Sequence, residues 1–110
     1  GDFGSMMKIK RARQILKSFA DDTRLRIINL LKYKKEMNVT ELCEILEKNQ
    51  SNISKHLSRL RLTGIVADKR KGNNVHYCLA KPTNKAHKEL LNSITKGLKD
   101  LEIFKEDLKK

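Results

Sequence analysis

Long apolar runs are missing from this sequence. No stretch approaches the length of a membrane span, and no signal-peptide core follows the start. Cysteine is scarce. Cys43 and Cys78, 35 positions apart, build no disulfide framework, and a reduced, cytoplasmic setting is the simplest expectation. Acidic residues are outnumbered, 13 Asp and Glu against 25 Lys and Arg, which leaves a formal net charge of +12. An excess of that size implies a polyanionic partner, with nucleic acid ahead of an anionic membrane surface. Catalytic constellations are missing too. The three histidines fall on separate elements, and there is no Gly-rich phosphate loop, metal triad or nucleophile signature. An enzyme is therefore not expected, and no cofactor is implied. Internal repeats and low-complexity segments are also absent. The 110 residues suffice for one domain with a modest core and are too few for two. Gly1-Asp2-Phe3-Gly4-Ser5 reads as an expression scar, which leaves 6–110 as the single domain.

One more absence is local and informative. The stretch Gln50–Leu62 reads Q-S-N-I-S-K-H-L-S-R-L-R-L and contains no carboxylate. Ile53, Leu57 and Leu60 have the three- and four-residue spacing of one helix face. Gln50, Ser51, Asn52, Ser54, Lys55, Ser58 and Arg59 fill the other face with amides, hydroxyls and cations. Such groups suit phosphate oxygens and the base edges of a DNA major groove. A merely solvated basic helix with a satisfied core face is the bland alternative for any one of these residues. It fits the whole face poorly.

The flanking elements place this stretch. Lys8–Phe19 reads as a basic amphipathic helix with Ile9, Ala12, Leu16 and Phe19 on one face. Asp21 is placed to cap the next helix, which runs to about Lys34 with Leu25, Ile27, Ile28 and Leu31 inward. Asn38-Val39-Thr40 reads as a short extended entry. Thr40 caps a third, short helix carrying Leu42, Ile45 and Leu46, and Glu47-Lys48-Asn49 is the turn after it. Asn49 caps Gln50–Leu62, and Gly64 closes it in the left-handed position. Ile65–Arg70 and Val75–Leu79 read as an antiparallel hairpin with a basic tip, Lys71-Gly72-Asn73-Asn74. Pro82 ends the second strand. One long helix is expected from about Asn84 to Leu108, its stripe running through Leu90, Leu91, Ile94, Leu98, Leu101, Phe104 and Leu108, with Gly97 its weak point. That stripe is too long for one small domain to cover, so part of it is expected to pack on a partner subunit. The fold class is mainly α with a small β-hairpin: a winged helix-turn-helix.

Four segments carry a resemblance to a known family. They are Phe19-Ala20-Asp21-Asp22-Thr23-Arg24-Leu25-Arg26-Ile27-Ile28, Val39-Thr40-Glu41-Leu42-Cys43, Gln50-Ser51-Asn52-Ile53-Ser54-Lys55-His56-Leu57 and Gly72-Asn73-Asn74-Val75-His76-Tyr77. Together they resemble the ArsR/SmtB winged-helix repressors. Asp22 stands where that family usually has Pro, a mild departure, since both suit a first helical turn. The resemblance implies a homodimer joined through the first and last helices, with Ile9, Leu16, Leu91, Ile94, Leu98 and Leu101 as the candidate interface. It implies repression by occupancy of double-stranded operator DNA, relieved by an inducer that the sequence does not identify. Gln50, Ser51, Ser54 and Lys55 match the family's base- and phosphate-contacting positions. Asn52, Ser58 and Arg59 are added from the helix face alone. Arg70, Lys71 and Asn73 would touch phosphate or the minor groove from the wing.

The same comparison argues against the family's familiar metal switches. Its Cys-x-Cys pair on the third helix is here Cys43-Glu44-Ile45, a lone thiolate where Zn(II) wants four ligands. Its other site needs Asp and His at the start of the last helix, where this chain has Leu79-Ala80-Lys81-Pro82-Thr83-Asn84. No metal ligand is therefore assigned. His87, between Lys85 and Lys88, reads as an exposed or interfacial helix residue. His56 fits a phosphate contact or packing at the motif's edge, and His76 a phosphate neighbour. Cys43 reads as a small, largely buried filler, and Cys78 as the more exposed of the two candidate redox thiols. A thiol-responsive regulator, one controlled by a protein partner, and a low-specificity DNA binder stay open as alternatives.

Overall fold

Residues 7–110 are described in the structure, a computed structural model. The segment read as an expression scar lies outside them. In chain order the elements are α1 (Ile9–Phe19), α2 (Asp22–Lys34), β1 (Met37–Asn38), α3 (Val39–Leu46), α4 (Gln50–Leu62), β2 (Val66–Lys71), β3 (Asn74–Leu79), α5 (Lys85–Gly97) and α6 (Glu102–Lys109).

Short polar side chains start four of the helices. Asp21, Asn38, Asn49 and Asn84 accept hydrogen bonds from the backbone N–H groups of Arg24, Glu41, Asn52 and His87, at 3.0, 2.8, 2.8 and 2.9 Å. Each satisfies one of the helix's orphan donors and contributes about 1 kcal/mol. The cap of α3 corrects the expectation of Thr40. The Glu41 side chain accepts from the Asn38 N–H in return, at 2.9 Å, and this reciprocal box starts the helix earlier. At the far end of α4, Gly64 takes the left-handed φ of +72°. Any Cβ there would also sit 2.7 Å from Nη2 of Arg11, which donates to the Thr63 carbonyl at 2.6 Å.

Helix α2 is the axis of the core. Ile27, Ile28, Leu30 and Leu31 are all buried, because α1, α3, α4, α5, α6 and β3 pack around it on several sides. A single inward stripe underestimates it: Leu30 joins the core, and Leu25 is only half-buried. Leu42 and Leu46 of α3, Ile53, Leu57 and Leu60 of α4, and Ile65 and Val66 complete that core. The face expected for α1 divides, with Phe19 in the core and Ile9 and Leu16 outside it. Ile15, Ser18 and Phe19 point inward, whereas Ile9 and Leu16 are 85% and 52% exposed. Two stripes compete on that helix, and the one beneath its C-terminal half meets the core.

The sheet has a third strand beyond the expected hairpin, in the order β1-β3-β2, all antiparallel. Met37 pairs with Tyr77, and Asn38 with His76. Two residues are too few to show alternation in sequence. The hairpin runs from Val66–Leu79 to Lys71–Asn74, so its loop is only Gly72-Asn73.

The expected single C-terminal helix is two helices. It breaks after Gly97, the Leu98 N–H still bonds Ile94, and α6 then folds back onto α2. The reversal is fixed by Asp107, fully buried, which receives Nε and Nη2 of Arg26 in a forked pair at 2.9 and 2.8 Å. Phe104 is buried beside it. The half of the stripe holding Phe104 and Leu108 is therefore covered by the chain itself.

Candidate nucleic-acid interface

Helix α4 divides cleanly. Ile53, Leu57 and Leu60 are at most 1% exposed, while Gln50, Ser51, Lys55, Ser58 and Arg59 stand in solvent. Asn52 and Ser54 are half-buried, and Asn52 Oδ1 is buried without a hydrogen-bond partner. Of the seven polar residues proposed from sequence, Asn52 is thus the one whose oxygen turns inward. Neither Lys55 nor Arg59 forms an ion pair among the described residues.

The helix is held from behind by a polar network. Arg24 donates to the carbonyls of Ser18 and Lys17 at the end of α1, at 2.7 and 3.3 Å, and its Nη1 lies 3.1 Å from Nδ1 of His56. Asp21 Oδ2 is 3.7 Å from the same nitrogen. Three helices meet on one guanidinium. At the other end of α4, the Ser18 hydroxyl donates to the Thr63 hydroxyl at 2.8 Å. Burial settles the two readings of His56. It is 7% exposed and packs at the motif's edge, so it does not face phosphate. Burial pushes its pKa below the ordinary value, Asp21 opposes that, and Arg24 reinforces it. A guanidinium can only donate, so Nδ1 of His56 is the acceptor in the Arg24 contact.

The wing has two unlike faces, as strand alternation and register dictate. Val66, Asp68 and Arg70 share the face of Met37, Val75, Tyr77 and Leu79, which joins the core. Arg61 of α4 reaches Asp68 there at 3.6 Å. Arg70 is exposed on that same side and forms no ion pair among the described residues. Lys69, Lys71, His76 and Cys78 occupy the outer face. Glu36 meets them: its carboxylate lies 2.7 Å from Nζ of Lys69, 2.5 Å from Nζ of Lys71 and 3.2 Å from Nδ1 of His76. The Lys69 and Lys71 hydrogen bonds pull the Glu36 pKa down to about 2. His76, expected beside phosphate, instead faces this carboxylate. Asn73 is exposed at the tip.

The remaining candidates are dispersed. Cys43 is half-buried against the core, and Cys78 is half-buried on the outer wing face. Among the described residues no group of three His, Cys, Asp or Glu side chains is gathered to hold a metal ion. His87 is a correction. It is fully buried, with both ring nitrogens unpartnered, and burial, aided by the Arg11 charge, pushes its pKa down. Flanking lysines disguised it, because they lie on the other face of α5. Of the interface candidates, Ile9, Leu16 and Leu101 are exposed and Ile94 and Leu98 half-buried, whereas Leu91 is 7% exposed inside the chain's own core. Sequence reasoning missed Arg24, Arg11 and Glu36. Arg24 was visible as part of a motif, without its role. Glu36 carries no local signal at all.

Comparison with known proteins bears on these features. The family model described as "Bacterial regulatory protein, arsR family" matches residues 21–68, which span α2 to the start of β2. The arsenical resistance operon repressor of Escherichia coli is 43% identical over 67 residues, covering 61% of this chain and 57% of that protein. The chain thus spans less than two thirds of that relative's length. The transcriptional repressor PagR of Bacillus anthracis is 33% identical over 88 residues, covering 80% of this chain and 88% of PagR. A solved structure of HlyU from Vibrio cholerae superposes with a TM-score of 0.65 at 36% identity, covering 80% of this chain and 97% of HlyU. No described helix is long and apolar enough to cross a membrane.

Proposed function

The chain belongs to the arsR family of bacterial regulatory proteins, and from that premise we propose that it is a homodimeric, sequence-specific DNA-binding transcription regulator that represses by occupying its operator. The observation that carries this reading is the outer face of α4. It is exposed, free of carboxylates, and mounted on a helix whose opposite face is fixed in the core. Gln50, Ser51, Ser54 and Lys55 at its N-terminal half read the major groove. Ser58 and Arg59 reach the flanking phosphates. Asn52 contributes through its amide nitrogen, since its oxygen is turned in. Arg70 and Asn73 meet the backbone or minor groove from the wing, and Lys71 reaches it in competition with Glu36.

The proposed dimer forms on the exposed apolar residues of α1, the outer side of α5 and the turn between α5 and α6. Ile9, Leu16, Ile94, Leu98 and Leu101 supply the contact, and Leu91 supports it from beneath. Two copies then present their α4 helices to successive major grooves, roughly 34–36 Å apart. Repression is steric, and the working place is the cytoplasm. PagR is named a repressor and HlyU an activator, so the position of the footprint relative to the promoter decides the sign of regulation.

The test is Gln50→Ala combined with Ser54→Ala, assayed on the duplex upstream of the protein's own coding region. Specific binding should fall on the order of a hundredfold while random-duplex binding changes little. Unchanged operator affinity in a folded dimer would sink the assignment. Parallel salt titrations on operator and random duplex separate a specific regulator from a charge-only binder, which loses affinity similarly on both.

A further inference from the structure

The outer wing face gathers an unusual set of charges around one acid. Glu36 is anchored where it stands. Lys35 before it takes a left-handed φ of +72°, which turns the chain out of α2. The Glu36 N–H donates to the Lys34 carbonyl at 2.8 Å, and β1 begins at the next residue and is paired to β3. The cations it meets stand on a backbone just as well held, Lys69 and Lys71 being paired to His76 and Asn74, but their side chains are longer and more exposed. Lys69 and Lys71 lie two positions apart on a hairpin strand, so both stems rise on the same side, and each side chain is about half exposed, 53% and 54%. The Glu36 side chain is only 20% exposed, partly covered by the groups it binds. An exposed lysine swings freely on its four-carbon stem, and its ion pair is weak and exchangeable. The acid is the shorter and less exposed partner, and the ammonium groups choose between it and any other anion within reach.

DNA phosphate is such an anion. We propose that Glu36 is an internal counter-ion that competes with the DNA backbone for Lys69 and Lys71, and so limits how many cations the wing brings to DNA. It is a positioning residue and touches no nucleotide. In the native chain the wing meets DNA chiefly through Arg70, on the face continuous with α4, and through the Gly72-Asn73 tip. The two outer lysines stay drawn back. Removing the Glu36 charge frees them to reach round the narrow hairpin to the phosphates. The inference rests on the DNA-binding reading above.

The experiment is Glu36→Gln, which keeps the shape and removes the charge, with operator affinity measured from about 0.1 to 0.4 M salt. Each added phosphate contact steepens the slope of log K against log salt by about 0.9. Each lysine freed on both wings therefore steepens the dimer's slope by about 2, and raises affinity roughly fivefold per protomer near 0.15 M salt, by extrapolation from 1 M. Lys69→Ala combined with Lys71→Ala in the Glu36→Gln background should abolish most of the gain. A folding defect cannot mimic tighter binding. A second arm leaves Glu36 in place: in the native chain Arg70→Ala should flatten the slope by about 0.9 per protomer, and Lys71→Ala by clearly less. An unchanged or weakened affinity in folded Glu36→Gln would overturn the proposal, as would a full contact's loss from Lys71→Ala alone. If native protein binds no duplex, the DNA-binding reading itself fails, and that result is distinct from either.

Discussion

Helix α4 and the wing are both basic, exposed and candidates for DNA, yet they are built on opposite plans. In α4 the neutral and apolar side is tied down, by Ile53, Leu57, Leu60 and the Arg24–His56 contact, and the cations Lys55 and Arg59 are left unpaired. In the wing the backbone extends away from the core, and the cations Lys69 and Lys71 are tied to Glu36. The helix is thus rigid in position and open in charge, while two of the wing's cations are occupied by the chain's own acid. Under the proposed function the two would do different work. A reader of base edges needs its side chains within a fraction of an ångström, and the core supplies that. A backbone contact tolerates displacement, and its strength is set by how many cations are free.

The largest effect should come from removing what holds α4. Arg24→Met deletes three hydrogen bonds linking α1, α2 and α4, and is expected to lower unfolding stability by about 3 kcal/mol. Urea denaturation checks this, and specific DNA binding should weaken even where the protein stays folded. A loss below about 1 kcal/mol would mean that α4 is held by its apolar face alone. Ser18→Ala, at the other end of the helix, should cost about 1 kcal/mol, since it leaves Thr63 one partner fewer.

Acid should act on the same side of the comparison. His56 and His87 are both held below the ordinary imidazole pKa by burial. The unfolded chain therefore takes up protons at a higher pH than the folded chain does, and stability present above about pH 6.5 is lost as pH falls below it. Melting temperatures recorded between pH 7.5 and 5.5 should decline, and His87→Leu should flatten the decline. A flat profile in the native protein would show that neither ring is kept neutral by folding. The smallest effect belongs to the wing. Lys71→Ala should leave the melting temperature unmoved, because an exposed ion pair contributes little to stability. A clear drop would mean that the wing is a structural strut.

How much of this was legible in the sequence follows the range of the interactions. The α4 helix could be read residue by residue, because Asn49, the Ile53–Leu57–Leu60 spacing and Gly64 are all local signals. The hairpin was legible for the same reason. The strand Met37–Asn38 was not, because pairing with Tyr77 and His76 creates it, far along the chain. The C-terminal stripe misled, since Leu98 and Leu101 continue the helical spacing straight through the break. What bends the chain there is the pairing of Asp107 with Arg26, 81 positions away. The candidate site divides likewise. Its outward-facing residues were named in advance, but the residues that hold or restrain them, Arg24 and Glu36, act across gaps that periodicity cannot span.

The apolar residues left uncovered on α1, Ile9 and Leu16, carry a consequence for dosage. A dimer assembled on them makes stability and DNA occupancy depend on how much protein is present. Below the dimer dissociation constant, occupied operator rises with the square of the chain's concentration, so halving expression removes about three quarters of the repressing species. Melting midpoints should climb with protein concentration for the same reason. The small apolar surface to which Ile9 and Leu16 belong would then set how steeply DNA occupancy responds to the supply of protein.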